Sequence, residues 1–309
     1  MLEKEKDKVR IGILRGGSGD HYESSLKRGS EIISFLLEKF RHKYKPFDIF
    51  IDKENKWHLS GIPINPSQLL YKVDLVWNLS HQRFSNILES FSIKTVGIPA
   101  FSPFFDLDRE KFREKIKKEG IKMPRHIILP VYQSDIDGSA RTFAEKKARE
   151  VFEKFSAPWI VKSYNPDMNQ GIHLAKTFPE LVRAILDGAA HRDSTLVEEF
   201  IPGKVGSLHT IPHFRGEKIY SFPFGNSFGS FSAAEREKLI ETAKNLREKL
   251  GVSHYLKSDF ILGKKGEVFL LDFDLAPDLR EGSHFGEVCR LAGAKMHEII
   301  GHILDKMLE

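Results

Sequence analysis

Two short apolar runs joined by a glycine-framed turn constrain this chain more than any other segment. In KSDFILGKKGEVFLLDFD and its flanks, Tyr255 to Leu262 and Glu267 to Asp274 bracket Gly263-Lys264-Lys265-Gly266, and this pattern predicts a β-hairpin. Three carboxylates lie on it. Asp272 and Asp274 are two residues apart, so on a strand both leave the same face. Asp259 on the partner strand reaches that face if the register allows. Converging carboxylates repel one another unless a cation sits among them, and hard oxygen ligands suit Mg²⁺. The alternative is a solvated hairpin edge with its charges turned outward.

A chain of 309 residues has room for two or three lobes. Hydrophobic content of 40% with 24 Phe is ample for a buried core and argues against disorder. The single cysteine, Cys289, excludes an intramolecular disulfide framework and a Cys-based zinc site, and it fits a reducing compartment. The first residues, MLEKEKDK, are charged, and no apolar run approaches the roughly 20 residues needed to span a bilayer. Neither a signal peptide nor a membrane partner is expected, and the expected location is the cytoplasm. Net charge is +5, with 48 basic residues against 43 acidic ones. Mixed-sign segments such as DREKFREKIKKEG read as solvated helix faces. No basic-aromatic stripe is present, so no nucleic-acid partner is expected. The mild basic surplus suits an anionic small molecule such as ATP.

Strand and helix patterns alternate from the start. Val9 to Leu14 reads as a buried strand, followed by a Gly-rich loop and a helix from about Glu23 to Phe40. Strands at Phe47 to Ile51 and Val73 to Trp77, and a helix near Phe84 to Phe91, predict a parallel sheet covered by helices and closing near residue 105. Helices follow at Asp108 to Glu119, Ser139 to Phe155, Pro179 to Leu186 and Ala233 to Leu250, with one more over Val288 to Leu308. Strands are read at Arg125 to Tyr132, Pro158 to Lys162, Thr195 to Phe200, Val205 to Pro212 and Lys218 to Phe224.

Lys162 ends an apolar run and opens a polar loop that closes at Gly171. A lysine there can hold a phosphate as a point charge while loop amides wrap the rest, although no GxxxxGK[ST] loop occurs. Taken singly, Lys162 reads first as a strand-end solubilising charge, and Glu198 in LVEEFIPG as a strand-edge residue. His209 and His213 are four apart, but their segment alternates like a strand, so they read as ordinary surface or core histidines. Cys289 reads as packing.

Together the pieces say more. A strand lysine, a polar loop, VEEFIPG, SDF and LLDFD follow in an order and spacing that resembles the ATP-grasp superfamily over roughly residues 108 to 290. Within it the chain is similar to the D-alanine–D-alanine ligase family. RIGILRGGSGDHYESSLKRG resembles that family's opening strand, Gly-Gly loop and helix start, and VWNLSH resembles its strand ending in a histidine, here His81. The resemblance implies an α/β protein of three-lobed ATP-grasp architecture with an N-terminal parallel-sheet domain. Its lobes would be 1–105, 106–195 and 196–309.

By the same resemblance, Lys111 and Lys162 contact ATP phosphates and Glu198 accepts from the adenine amino group. Backbone from Glu199 through Phe200 to Ile201 lines the adenine pocket. Asp259, Asp272 and Asp274 hold two Mg²⁺ ions, with Mn²⁺ as a substitute. Lys257 stands where an arginine supports the tetrahedral intermediate, and Ser283 where a serine meets the substrate carboxylate. The implied reaction phosphorylates a carboxylate with ATP, after which an amine displaces phosphate. The implied substrates are amino acids or other small carboxylates, the role cell-wall precursor synthesis, and the assembly a homodimer.

Several positions depart from the family pattern, including the Gln82-Arg83-Phe84 that follows His81 and the Asp272 and Asp274 that stand for a Glu-x-Asn ending. His21 stands where a glutamate grips the first amino acid's ammonium, with Glu23 two positions on. Val205 replaces a ribose-binding glutamate, Lys257 replaces the arginine, and Asp278 replaces a glycine of the oxyanion hole. These departures leave two alternatives: a ligase for a different amino-acid pair, or a nucleotide-binding regulatory protein that has lost ligation.

Overall fold

The computed structural model describes residues 8–18, 22–105, 109–164, 171–191, 194–225, 231–280 and 282–309. Two compact units contain them: Met1–Ile121 together with Lys204–Glu309, and Lys122–Gly203.

The first unit begins with β1 (Val9–Gly16), α1 (Tyr22–Lys39), β2 (Tyr44–Ile51), β3 (Trp57–Leu59), β4 (Ile62–Ile64), β5 (Leu75–Asn78), α2 (Gln82–Ser90) and β6 (Thr95–Gly97). The strands form one sheet in the order β4-β3-β2-β1-β5-β6. β2, β1, β5 and β6 run parallel, as the strand–helix rhythm predicts. β1 and β5 are apolar on successive residues because both sheet faces are covered. The antiparallel pair β3–β4 was not read from the sequence. It extends the sheet beyond β2, and its outer strand tolerates Pro63 because an edge strand needs no donor there. Gly16 ends β1 at φ +86°, where a Cβ would lie 2.3 Å from the Ile51 carbonyl oxygen. Only glycine fits that turn.

α3 (Arg109–Lys118) completes the N-terminal part. The second unit holds β7 (His126–Leu129), α4 (Ser134–Asp137), α5 (Ala140–Lys154), β8 (Trp159–Ser163), β9 (His173–Ala175), α6 (Phe178–Ala190) and β10 (Thr195–Glu199). Its sheet is antiparallel, in the order β7-β10-β8-β9. Phe143, Ala148 and Val151 of α5 and Leu181 and Ile185 of α6 pack on Trp159, Val161 and Val197. Both helices start at side-chain caps, Ser139 for α5 and the Thr177–Glu180 capping box for α6.

The chain then returns to the first unit with β11 (Gly203–Pro212), β12 (Ile219–Ser221), α7 (Ala233–Leu250), β13 (Leu256–Gly263), β14 (Val268–Asp274), α8 (His284–Leu291) and α9 (Met296–Leu308). Its third sheet runs β12-β11-β13-β14. The single closing helix read over 288–308 is two helices. Gly293 adopts φ +64° just past α8, the left-handed conformation that stops a helix, and α9 restarts at Met296. Ile299, Ile300, Ile303 and Leu304 of α9 share one core with Ile11, Ile13, Leu36 and Trp77, which fastens the end of the chain to the first sheet. No helix among the described residues is long and apolar enough to cross a membrane.

Candidate active site

The hairpin predicted from Tyr255 to Asp274 is present, and its register decides where the carboxylates point. Leu262 pairs with Val268, Ile261 with Phe269 and Phe260 with Leu270; then the ladder shifts by one residue. Beyond the shift Asp259 stands opposite Asp272, Ser258 opposite Phe273, and Lys257 opposite Asp274. Leu271 is the extra residue of a β-bulge. Directly opposed residues project to the same side, so Lys257, Asp259, Asp272 and Asp274 share one face. The other face is core, with Leu256, Ser258 and Phe260 fully buried.

Protein groups hold these carboxylates. Asp259 accepts from Lys257 Nζ at 2.9 Å and from the Ser207 hydroxyl on β11. Asp274 Oδ1 accepts from Arg28 of α1 and, at 3.1 Å, from the Ala276 amide. Asp272 Oδ1 accepts from the Phe273 amide at 2.9 Å. Among the described residues, no three His, Cys, Asp or Glu side chains converge as a metal-holding group. The three aspartates nonetheless suit a hard cation: all their donors are oxygen, and the ladder sets them on one face. Burial works against the charge of Arg28, and the hydrogen bond and charge of Asp274 outweigh it, so the guanidinium is more firmly protonated than usual.

The turn after β14 holds Asp278 and Ser283. Asp278 lies in a two-pronged pair with Arg280, Nε to Oδ1 at 2.9 Å and Nη2 to Oδ2 at 2.6 Å, which holds its carboxyl below the ordinary range. A carboxylate engaged in this way is no longer an uncompensated negative charge at the turn. Ser283 caps α8: its hydroxyl accepts from the Gly286 amide at 3.2 Å and donates to the Asp278 carbonyl at 2.8 Å. Glu23 lies exposed in the first turn of α1, and His21 lies outside the described residues. His81 caps α2, its Nδ1 accepting from the Arg83 amide. Val205 is exposed on β11. Lys111 is exposed on α3 beside Phe112, whose ring stacks on Phe273 at 5.4 Å and so docks that helix on the carboxylate hairpin.

In the second unit, Lys162 on β8 lies opposite Leu196 on β10, and Ile160 opposite Glu198. This diagonal puts Lys162 and Glu198 on one face, where they pair at 2.7 Å. The Glu198 side chain is only 5% exposed and that of Lys162 is 31% exposed. Arg125 engages the Glu199 carboxylate. The amides of Glu199 and Phe200 donate to the carbonyls of Arg125 and Pro158, at 2.9 and 3.0 Å, and Ile201 follows in the connection to β11.

One cluster has no local signal in the sequence. His209 is buried, with Nδ1 2.7 Å from the Tyr255 hydroxyl and Nε2 2.8 Å from Nδ1 of His284. Burial holds His209 well below the ordinary histidine range, and burial with the Lys257 charge lowers His284. His209 and His284 are 75 residues apart, so no spacing rule joins them.

A parallel sheet, a smaller antiparallel sheet with two covering helices, and a third sheet bearing opposed carboxylates together make the ATP-grasp architecture. No protein-family model matches the chain. The D-alanine–D-alanine ligase of Fusobacterium nucleatum subsp. nucleatum is 22% identical, over 97% of this chain and 100% of that protein. Among solved structures, D-alanyl-alanine synthetase A from Vibrio cholerae superimposes with a TM-score of 0.71 at 16% identity, covering 98% of this chain and 99% of that one. The D-alanine–D-alanine ligase from Bacillus anthracis complexed with ATP gives 0.65 at 18% identity, covering 97% of both chains. Over nearly its whole length the chain is similar to D-alanine–D-alanine ligases, and it has their fold.

Proposed function

We propose that this chain is an ATP-dependent, ADP-forming ligase that joins a carboxylate to an amine through an acyl phosphate. The observation that carries this reading is the bulged ladder, which sets Asp259 against Asp272 and Lys257 against Asp274 on one face. Near full-length similarity to D-alanine–D-alanine ligases supports it.

In this reading Lys111 and Lys162 neutralise phosphate oxygens, and Glu198 accepts from the adenine amino group beside the backbone of Glu199, Phe200 and Ile201. The Lys162–Glu198 pair keeps both side chains on one strand face before nucleotide arrives. Asp259, Asp272 and Asp274 would hold magnesium, two ions by analogy, with manganese as a substitute. The metal supplies charge neutralisation for the transferring phosphoryl group. Lys257 carries the positive charge that supports the tetrahedral anion formed when the amine attacks. Ser283, Glu23 and His21 belong to the amino-acid side. The division into lobes 1–105, 106–195 and 196–309, the homodimer and a role in peptidoglycan precursor synthesis are parts of the same proposal.

The test is ADP release with magnesium and a panel of D- and L-amino acids. Stimulation by one of them is the expected result. If the protein binds ATP and no amino acid or other carboxylate stimulates ADP formation, ligation is wrong. Nucleotide binding without turnover is then the reading that stands.

A further inference from the structure

Arg28 binds Asp274 in a way that leaves part of its guanidinium unused. Three other arginine–aspartate pairs use two nitrogens on two oxygens: Arg10 on Asp74, Arg15 on Asp48 and Arg280 on Asp278. Arg28 uses one nitrogen, Nη1, which meets Asp274 Oδ1 and, at 3.4 Å, the Ala276 carbonyl. The Ala276 amide donates to the same Oδ1, so α1, the end of β14 and the following turn are tied at one oxygen. Among the described residues, Nε and Nη2 of Arg28 make no hydrogen bond. Nη1 pins the side chain, which is 41% exposed as a whole.

The location gives the edge its meaning. Asp274 stands opposite Lys257 and on the same face as Asp259 and Asp272, the face on which the proposed chemistry takes place. A guanidinium edge with parallel N–H groups matches the two oxygens of a carboxylate and repels an ammonium. Neither lysine nor a neutral side chain reproduces that fork.

We infer that Arg28 is a substrate-recognition residue whose Nε–Nη2 edge grips a reactant carboxylate other than the one being activated. The inference rests on the ligase reading for the identity of the reactants. Two sources carry this group: an acidic side chain on the activated acid, or the carboxylate of the amine that attacks. In both cases the substrate end facing α1 is anionic.

The decisive variant is Arg28→Lys, which keeps a cation for Asp274 and removes the fork; Arg28→Gln serves if the lysine variant fails to fold. ADP release is measured with D-alanine, D-alaninamide, D-aspartate and succinate as reactants, alone and in pairs. The expected result is a KM for the gripped reactant raised about ten-fold or more, a larger change than that in kcat or in the KM for ATP. If the effect follows D-aspartate or succinate, the side-chain carboxylate is the one held. If it appears with D-alanine as attacking amine and vanishes with D-alaninamide, it is the amine's own. An unchanged KM for every acid, or a rise confined to ATP, overturns the inference while leaving ligation intact. Should no acid release ADP from the wild type, thermal stabilisation by millimolar succinate or D-aspartate replaces turnover. A stabilisation lost in Arg28→Lys keeps the carboxylate site and discards the ligase, and one unchanged in the variant, or absent from the wild type, discards the site.

Discussion

Asp259 and Asp272 face each other across the β13–β14 ladder only because the register shifts by one residue beside Phe260. Had the pairing of Phe260 with Leu270 continued, Asp272 would lie opposite Ser258 and Asp274 opposite Leu256, both fully buried positions. The bulge at Leu271 thus keeps two carboxylates out of the core and gathers them on the face of Asp259.

Asp272→Asn and Asp259→Asn are each expected to raise the magnesium concentration for half-maximal ADP release by about ten-fold or more, since even outer-shell partners are worth ~10–100-fold. A magnesium titration together with thermal melts checks this. An unchanged titration in both asparagine variants removes these residues from the proposed metal site.

Lys162→Met removes the cation paired with Glu198, whose side chain is only 5% exposed. The expected cost is about 1–3 kcal/mol, the scale for depriving a buried polar group of its partner. Adding Glu198→Gln is expected to recover much of it. Urea unfolding of the two single variants and the double variant measures the coupling, and strictly additive losses would show that the pair does not act as a unit.

Stability is expected to fall as pH drops from about 6.5 to 4. His254 is buried between Gly97 and its own strand connection, and burial lowers its folded value from 6.5 to about 4. A lowered histidine favours the folded state fully above the unfolded value, and that contribution is lost on the way down to the folded one. The amount at stake is about 3 kcal/mol. Denaturation across this range should show the slope in the wild type and a shallower one in His254→Gln. Equal slopes would assign the effect to other groups.

Cys289 is expected to resist alkylation in the native state. It is 1% exposed, and burial pushes its thiol up to about 12, so little thiolate is present at neutral pH. Iodoacetamide labelling followed by mass spectrometry should track unfolding. Rapid labelling of folded protein would contradict the packing role.

Much of the architecture was legible because periodicity reports burial. Val9 to Leu14 reads as a continuous apolar run and becomes a strand covered on both faces, and Ser232 three residues before Glu235 forms the capping box that starts α7. The hairpin was legible from Gly263 and Gly266. Short edge strands were not: Trp57–Leu59 and Ile62–Ile64 have three residues each, too few for any alternation to register. The break between α8 and α9 escaped because Gly293 sits inside an otherwise apolar helical pattern. Arg28, Ser207 and the histidine pair escaped for a different reason, since their partners lie 52 to 246 residues away.

By itself, the sequence determined which residue types the two units carry: three aspartates on a hairpin in one, and in the other a lysine at a strand end with a glutamate in the next strand but one. Local pattern and turn chemistry are enough for that, because they act between near neighbours. Tertiary structure alone decided what those residues do to one another. The bulge turned Asp272 toward Asp259, antiparallel pairing brought Lys162 against Glu198, and the fold set Arg28 of α1 within reach of Asp274. Register and docking depend on contacts between distant segments, and a one-residue shift in either sends a side chain to the opposite face.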